Sequence, residues 1–142
     1  MTTKSISSVS ARLTLAQAFI VLTGLYYAFV GLSMLFTPVW FYENIGTFPP
    51  FNRHFIGDLG TFILPLGAGL LLAAQNPGQH RLLLWVVAGA NLFHGLNHLY
   101  DSITGRVPLA LWWNDTFPLI IGAVLFLLAL WPEGVRKKLG PV

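Results

Sequence analysis

Four long apolar runs decide what this chain can fold into. They cover residues 13–36, 55–74, 82–100 and 111–131. Each run is close to the ~20 helical residues that cross the hydrocarbon core of a bilayer. Charged residues make up only 9% of the chain, against about 25% in a soluble domain. The sequence therefore predicts an all-α protein, a single integral membrane domain over residues 1–142 built as a four-helix transmembrane bundle in a lipid bilayer.

Turn-forming residues separate the runs, as expected for helices joined by short loops. Pro38 follows the first run, Asn76-Pro77-Gly78 lies between the second and third, and Gly105 and Pro108 precede the fourth. The first run is longer than the 7–15 apolar residues of a secretory signal peptide. We therefore expect it to be a retained membrane helix.

The basic residues are distributed unevenly between the two sides of the predicted bundle. Arg53 and Arg106 lie on one side. The other six lie on the opposite side: Lys4, Arg12, Arg81, Arg136, Lys137 and Lys138. Because cytoplasmic loops carry the excess of Lys and Arg, this distribution places both the N-terminus and the C-terminus in the cytoplasm.

The segment between Pro38 and Arg53 is too apolar for an ordinary outer loop. It contains the run Val39-Trp40-Phe41-Tyr42 and later Pro49-Pro50. Tryptophan and tyrosine are enriched where a membrane meets water. We therefore predict a short interfacial segment here, in the first outer loop.

The third run carries a stripe of polar residues. Asn91, His94, His98 and Asp101 are separated by three, four and three positions, which places them on one face of a helix. His94 and His98 are one turn apart, so their imidazoles can reach one metal ion. Ionisable residues inside a membrane span are costly and indicate function by default.

Two other helices carry polar groups to the same depth. His54 and Asp58 are one turn apart at the outer start of the second run, and Asp115 lies at the outer start of the fourth. Since the second helix runs inward and the third outward, we expect their polar stripes to meet in one pocket. The predicted pocket opens in the outer leaflet. Its predicted ligand-binding residues are His54, Asp58, Asn91, His94, His98, Asp101 and Asp115.

Three interpretations fit this set of residues. Imidazole and carboxylate ligands suit a transition metal such as zinc, copper or non-haem iron. The metal ligands would then be His54, Asp58, His94, His98 and Asp101. Haem b held by two histidines is a second interpretation, although nothing in the sequence specifies the macrocycle. The third is a structural network, because polar side chains in membrane bundles also hydrogen-bond between helices.

The chain has no cysteine, which excludes disulfides, thiolate metal sites and thiol nucleophiles. Its low content of charged residues also argues against a nucleic-acid partner. No glycine-rich phosphate loop and no serine nucleophile elbow is present in the sequence. The polar stripe is therefore the feature on which a functional hypothesis has to rest.

Several stretches resemble a known group of proteins. They are Gly31 to Pro38, Phe41 to Gly46, and the glycine-rich second helix from Gly57 to Ala74. Over the first three helices the chain resembles small bacterial four-helix membrane proteins of the DoxX-like and DUF4345-like type. The resemblance implies a bacterial cytoplasmic membrane and an association with respiratory or redox membrane systems. It assigns no activity to the polar stripe.

The leading hypothesis is a small membrane protein whose outer-leaflet pocket binds a small ligand or a metal ion. It would act as an accessory subunit beside a membrane protein partner or as a homo-oligomer. The first alternative is a metal-dependent membrane oxidoreductase that uses the same ligands. The second is a proton or solute transporter, which is disfavoured because the inner halves of the predicted spans lack ionisable residues.

Overall fold

A computed structural model describes residues 3–108, 113, 116–124 and 126, and their side chains from residue 16 onward. All regular elements in this part of the chain are helices, which confirms the all-α prediction. They are α1 (Thr3–Phe36), α2 (Pro38–Asn44), α3 (Arg53–Ala73) and α4 (Arg81–Ile103), followed by a helical stretch over 116–124.

Three helices are long and apolar enough to cross a membrane. Their spanning parts are Ala16–Phe36, Arg53–Ala73 and Arg81–Ile103. Large apolar side chains cover their outer surfaces: Phe62 of α3 is 71% exposed and Phe93 of α4 is 73% exposed. Such surfaces are stable when lipid covers them. The predicted fourth span, 111–131, lies partly outside the described residues, and its described part is helical over 116–124.

The helices extend beyond the apolar runs that predict them. Hydropathy marks the part that lipid can surround, whereas a helix continues until a residue breaks it. The helix α1 extends back to Thr3, and neither proline nor glycine occurs between Thr3 and Gly24. The helix α4 continues to Ile103, two residues before Gly105, whose φ of 73° ends the helix. The side chain of Asn52 caps the first turn of α3 by accepting a hydrogen bond from the backbone N–H of Phe55 at 3.0 Å.

The chain consists of two compact units, and the first covers residues 17–77. In it α1 and α3 pack at close range through glycines. A Cβ atom built on Gly67 would lie 2.5 Å from the backbone nitrogen of Ala28, and one on Gly31 would lie 2.7 Å from that of Leu64. Glycine permits this approach because it has no side chain to separate the helices.

The segment between α1 and α3 contains the short helix α2. Its Phe41 is buried in a cluster with Val30 and Met34 of α1 and Ile56 of α3. Thr37 lies between α1 and α2, and Pro38 starts the new helix without needing its own N–H donor. The structure thus places a short helix where the sequence predicts an interfacial segment.

The second unit joins residues 78–142 to residues 1–16. Here α4 packs against the helical stretch over 116–124. A Cβ atom on Gly95 would lie 2.9 Å from the side chain of Ile120, and the hydroxyls of Ser102 and Thr116 are buried 3.5 Å apart. This packing buries one side of α4, and the polar stripe from Asn91 to Asp101 lies beside that buried side.

Candidate functional site

The predicted polar stripe lies on the last three turns of α4. Its residues stand beside the buried positions Gly95 and Ser102, so the stripe borders the packed side of the helix. Asn91 is half-buried and donates a hydrogen bond to the carbonyl oxygen of Val87 at 2.9 Å. His94 is exposed and His98 is half-buried. The stripe is therefore accessible from outside this unit.

The two histidines of the stripe touch each other. The Nε2 atoms of His94 and His98 are 3.1 Å apart, and the ring centroids are 4.8 Å apart. At this separation one Nε2 carries a proton and donates it to the lone pair of the other. The two Nε2 atoms thus face each other, because residues four apart are neighbours on the same face of a helix.

This separation also fits one metal ion between the rings. Zinc binds imidazole nitrogen at about 2.0–2.1 Å with tetrahedral geometry. Two nitrogens 3.1 Å apart would then subtend an angle of about 98° at the ion, near the tetrahedral value. For one ion to bind both Nε2 atoms, the donor ring would move its proton to Nδ1, so that both rings carry a proton on Nδ1 and present a lone pair on Nε2.

Asp101 is engaged by other groups. Its Oδ1 atom accepts from Nη1 of Arg106 at 3.1 Å, and its Oδ2 atom accepts from Nδ2 of Asn97 at 3.5 Å. The guanidinium of Arg106 also lies over the ring of Tyr100, 4.9 Å from its centroid. Asp101 therefore balances a cation instead of joining the histidine pair.

His54 and Asp58 form a separate pair at the start of α3. His54 Nε2 lies 3.4 Å from Asp58 Oδ2, and their side chains are 89% and 60% exposed. The backbone carbonyl of Asp58 accepts from the hydroxyl of Thr61 at 2.6 Å. This pair belongs to the unit of residues 17–77, whereas the α4 stripe belongs to the other unit. The predicted joint pocket of the two stripes stays a prediction.

Among the described residues, no group of three or more His, Asp, Glu or Cys side chains is arranged to hold a metal ion. The structure brings together two of the five predicted metal ligands on α4 and two on α3. Asp115 lies outside the described residues. The described part of the chain thus offers an ion two imidazoles and leaves its other coordination positions open.

The sequence does not predict that Arg106 forms an ion pair with Asp101. The residue follows Asp101 by five positions, across Gly105, and spacing along a helix does not bring such residues together. The positive φ of Gly105 turns the chain back, and the backbone N–H of Arg106 donates to the carbonyl of Asp101 at 2.9 Å. A glycine just after a helix, followed by a basic residue, was the available signal.

Comparison with protein-family models, with curated proteins and with solved structures gives no match to this chain. The resemblance to DoxX-like proteins therefore stays a prediction. The function has to be argued from the site.

Proposed function

We propose that this chain is a small integral membrane protein that binds a transition-metal ion through His94 and His98. The observation that carries the proposal is the 3.1 Å separation of the two Nε2 atoms. Imidazole nitrogen suits zinc, copper and iron, whereas magnesium and calcium prefer oxygen ligands. The site therefore favours zinc, copper and iron over magnesium and calcium.

The membrane arrangement in this proposal has four spans, with residues 111–131 as the fourth. Both termini face the cytoplasm, as the basic residues favour. The polar end of α4 then lies in the outer half of a bacterial cytoplasmic membrane. The three described helices that are long and apolar enough to cross a membrane support the first three of these spans.

Two imidazoles bind an ion without completing its coordination shell. The remaining positions are open to water, to a small ligand or to a side chain of another protein. Such an open site fits an accessory subunit of a membrane complex or a homo-oligomer that completes the shell at its interface. A redox enzyme would need the same ion first, so the oxidoreductase hypothesis depends on the outcome for metal binding.

Metal titration of the untagged protein in mild detergent tests the proposal. The probes are Zn²⁺ and Cu²⁺, and the readout is heat of binding by calorimetry. We expect one ion per chain. The H94Q and H98Q variants should each bind at least about tenfold more weakly, because outer-shell changes alone cost 10–100-fold and these remove a direct ligand.

The matched control is H80Q, which changes a histidine at the N-cap of α4 that makes no side-chain capping bond. Its affinity should equal that of the unaltered protein. H54Q tests whether the exposed pair on α3 contributes. Unchanged binding in H94Q, or no binding by the unaltered protein, would contradict the proposal.

The same 3.1 Å contact also supports a second candidate, a hydrogen bond that serves only to stabilise α4. Even hydrogen bonds between membrane helices contribute only about 0.6 kcal/mol on average. A metal-free protein whose H94Q variant unfolds at lower temperature would favour this structural role. The titration and the melting temperature together separate the two candidates.

A further inference from the structure

The short helix α2 lies alongside α1. The ring of Trp40 packs edge-to-face against Phe29 of α1, with 5.9 Å between the ring centroids. Phe29 precedes the last residue of α1, Phe36, by seven positions, or about 10 Å of helix rise. Phe41 is buried against α1 and α3. The start of α2 therefore packs against the end of the membrane-spanning part of α1.

The exposed surface of α2 changes from apolar to polar along the helix. In its first turn, Val39 is 53% exposed and Trp40 is 44% exposed. One turn later, Glu43 and Asn44 occupy the corresponding exposed positions. Residues four apart lie on the same face of a helix. The change is thus along the axis of α2, from an apolar end to a polar end.

We propose that α2 inserts into the headgroup layer of the lipid bilayer. Val39 and Trp40 contact the acyl chains, and Glu43 and Asn44 face water. The proposal rests on the membrane-spanning part of the proposed function and is independent of metal binding. Its ligand is the lipid surface itself, bound by an aromatic and aliphatic anchor of the kind that membrane interfaces favour.

Lipid is the occupant that the surroundings of α2 indicate. The helix lies between Phe36 and Arg53, the end and the start of two spanning segments, so it must stay at the membrane surface when those segments cross. The exposed face of Trp40 is also continuous with exposed Phe29, which belongs to the apolar outer surface of α1. Lipid that covers this surface of α1 reaches Trp40 as well.

Site-directed spin labelling tests the depth of α2 directly. Because the chain has no cysteine, single variants V39C, E43C and F62C can each carry one label. All three side chains are exposed, so the substitutions remove no buried contact. The labelled proteins are placed in phosphatidylcholine–phosphatidylglycerol vesicles. Collision rates are measured with oxygen, which concentrates in lipid, and with a water-soluble nickel complex.

The ratio of oxygen to nickel collisions reports the position of each label. We expect a high ratio at position 62, an intermediate ratio at position 39, and a ratio at position 43 that is several-fold lower than at 39. Equal ratios at positions 39 and 43 would overturn the insertion of α2. A water-like ratio at position 62 would instead overturn the membrane-spanning proposal, so the two failures are distinguishable.

Discussion

Replacing Gly67 with alanine should weaken the packing of α1 against α3. The added Cβ atom would lie 2.5 Å from the backbone nitrogen of Ala28 and 2.9 Å from the carbonyl oxygen of Gly24. Ordinary contact distances are about 3.5–4.0 Å, so the helices must separate by roughly 1 Å. Both neighbours are backbone atoms, and no side chain can rotate to make room. Overpacking of this kind costs about 1–3 kcal/mol.

The alanine also restricts the unfolded chain, which favours a helix by about 0.5–1 kcal/mol relative to glycine. The expected net loss in the free energy of unfolding is therefore about 1 kcal/mol, within a range of roughly 0–2.5 kcal/mol. G57A is the matched control, because a Cβ atom at Gly57 in the same helix meets nothing within 4 Å. It gains the helix preference without the clash, so the two variants should differ by about 1–3 kcal/mol.

The assay is unfolding of each variant in mixed micelles of mild detergent and sodium dodecyl sulfate, followed by far-ultraviolet circular dichroism. The midpoint of G67A should fall below that of the unaltered protein, and the midpoint of G57A should equal or exceed it. If G67A were as stable as G57A, the close approach of α1 and α3 at this position would be refuted.

Two smaller effects can be measured by the same assay. N52A removes the cap on the N–H of Phe55 and should lower the free energy of unfolding by about 0.5–2 kcal/mol; an unchanged midpoint would mean that water replaces the cap. R106Q breaks the ion pair between Arg106, whose side chain is 57% exposed, and Asp101, whose side chain is 19% exposed. It should lower the free energy of unfolding by less than about 1 kcal/mol. A larger loss would show that lipid shields this pair from water.

Hydropathy predicts the helices of this fold because each span must be apolar over the ~20 residues that cross the bilayer. The runs 55–74 and 82–100 correspond to α3 (Arg53–Ala73) and α4 (Arg81–Ile103) within three residues at each end. The ends differ because they depend on local chemistry, such as the cap at Asn52 and the turn at Gly105. The start of α1 at Thr3 lies in a polar stretch, about which hydropathy gives no information.

In the candidate site, likewise, helical spacing predicts some contacts, and the others depend on the tertiary fold. Helical spacing predicts the meeting of His94 with His98 and of His54 with Asp58, since residues four apart are neighbours on any helix. The partner of Asp101 depends on how the chain turns after α4, and an isolated helix pattern does not contain that turn. The joint pocket of α3 and α4 depends on tertiary packing and stays a prediction.

The hydrogen bonds within α4 bear on whether a metal ion can occupy the histidine pair. In a bilayer a polar group needs a partner within the protein, and the stripe on α4 meets this need within its own chain segment. Asn91 donates to Val87, and Asp101 accepts from Arg106. His94 and His98 share one hydrogen bond between their Nε2 atoms, so this contact exists without an ion.

Binding an ion therefore exchanges one hydrogen bond for two coordination bonds. The hydrogen bond contributes about 0.5–1.5 kcal/mol, or roughly a twofold to tenfold change in an equilibrium constant. Apparent binding energies of structural zinc sites in zinc-finger peptides are about 10–16 kcal/mol, so one hydrogen bond is small beside the energies at which metal sites bind. The His94–His98 contact is thus no barrier to metal binding. If the titration finds no ion, the metal-binding proposal fails and the contact between the two histidines is a hydrogen bond alone.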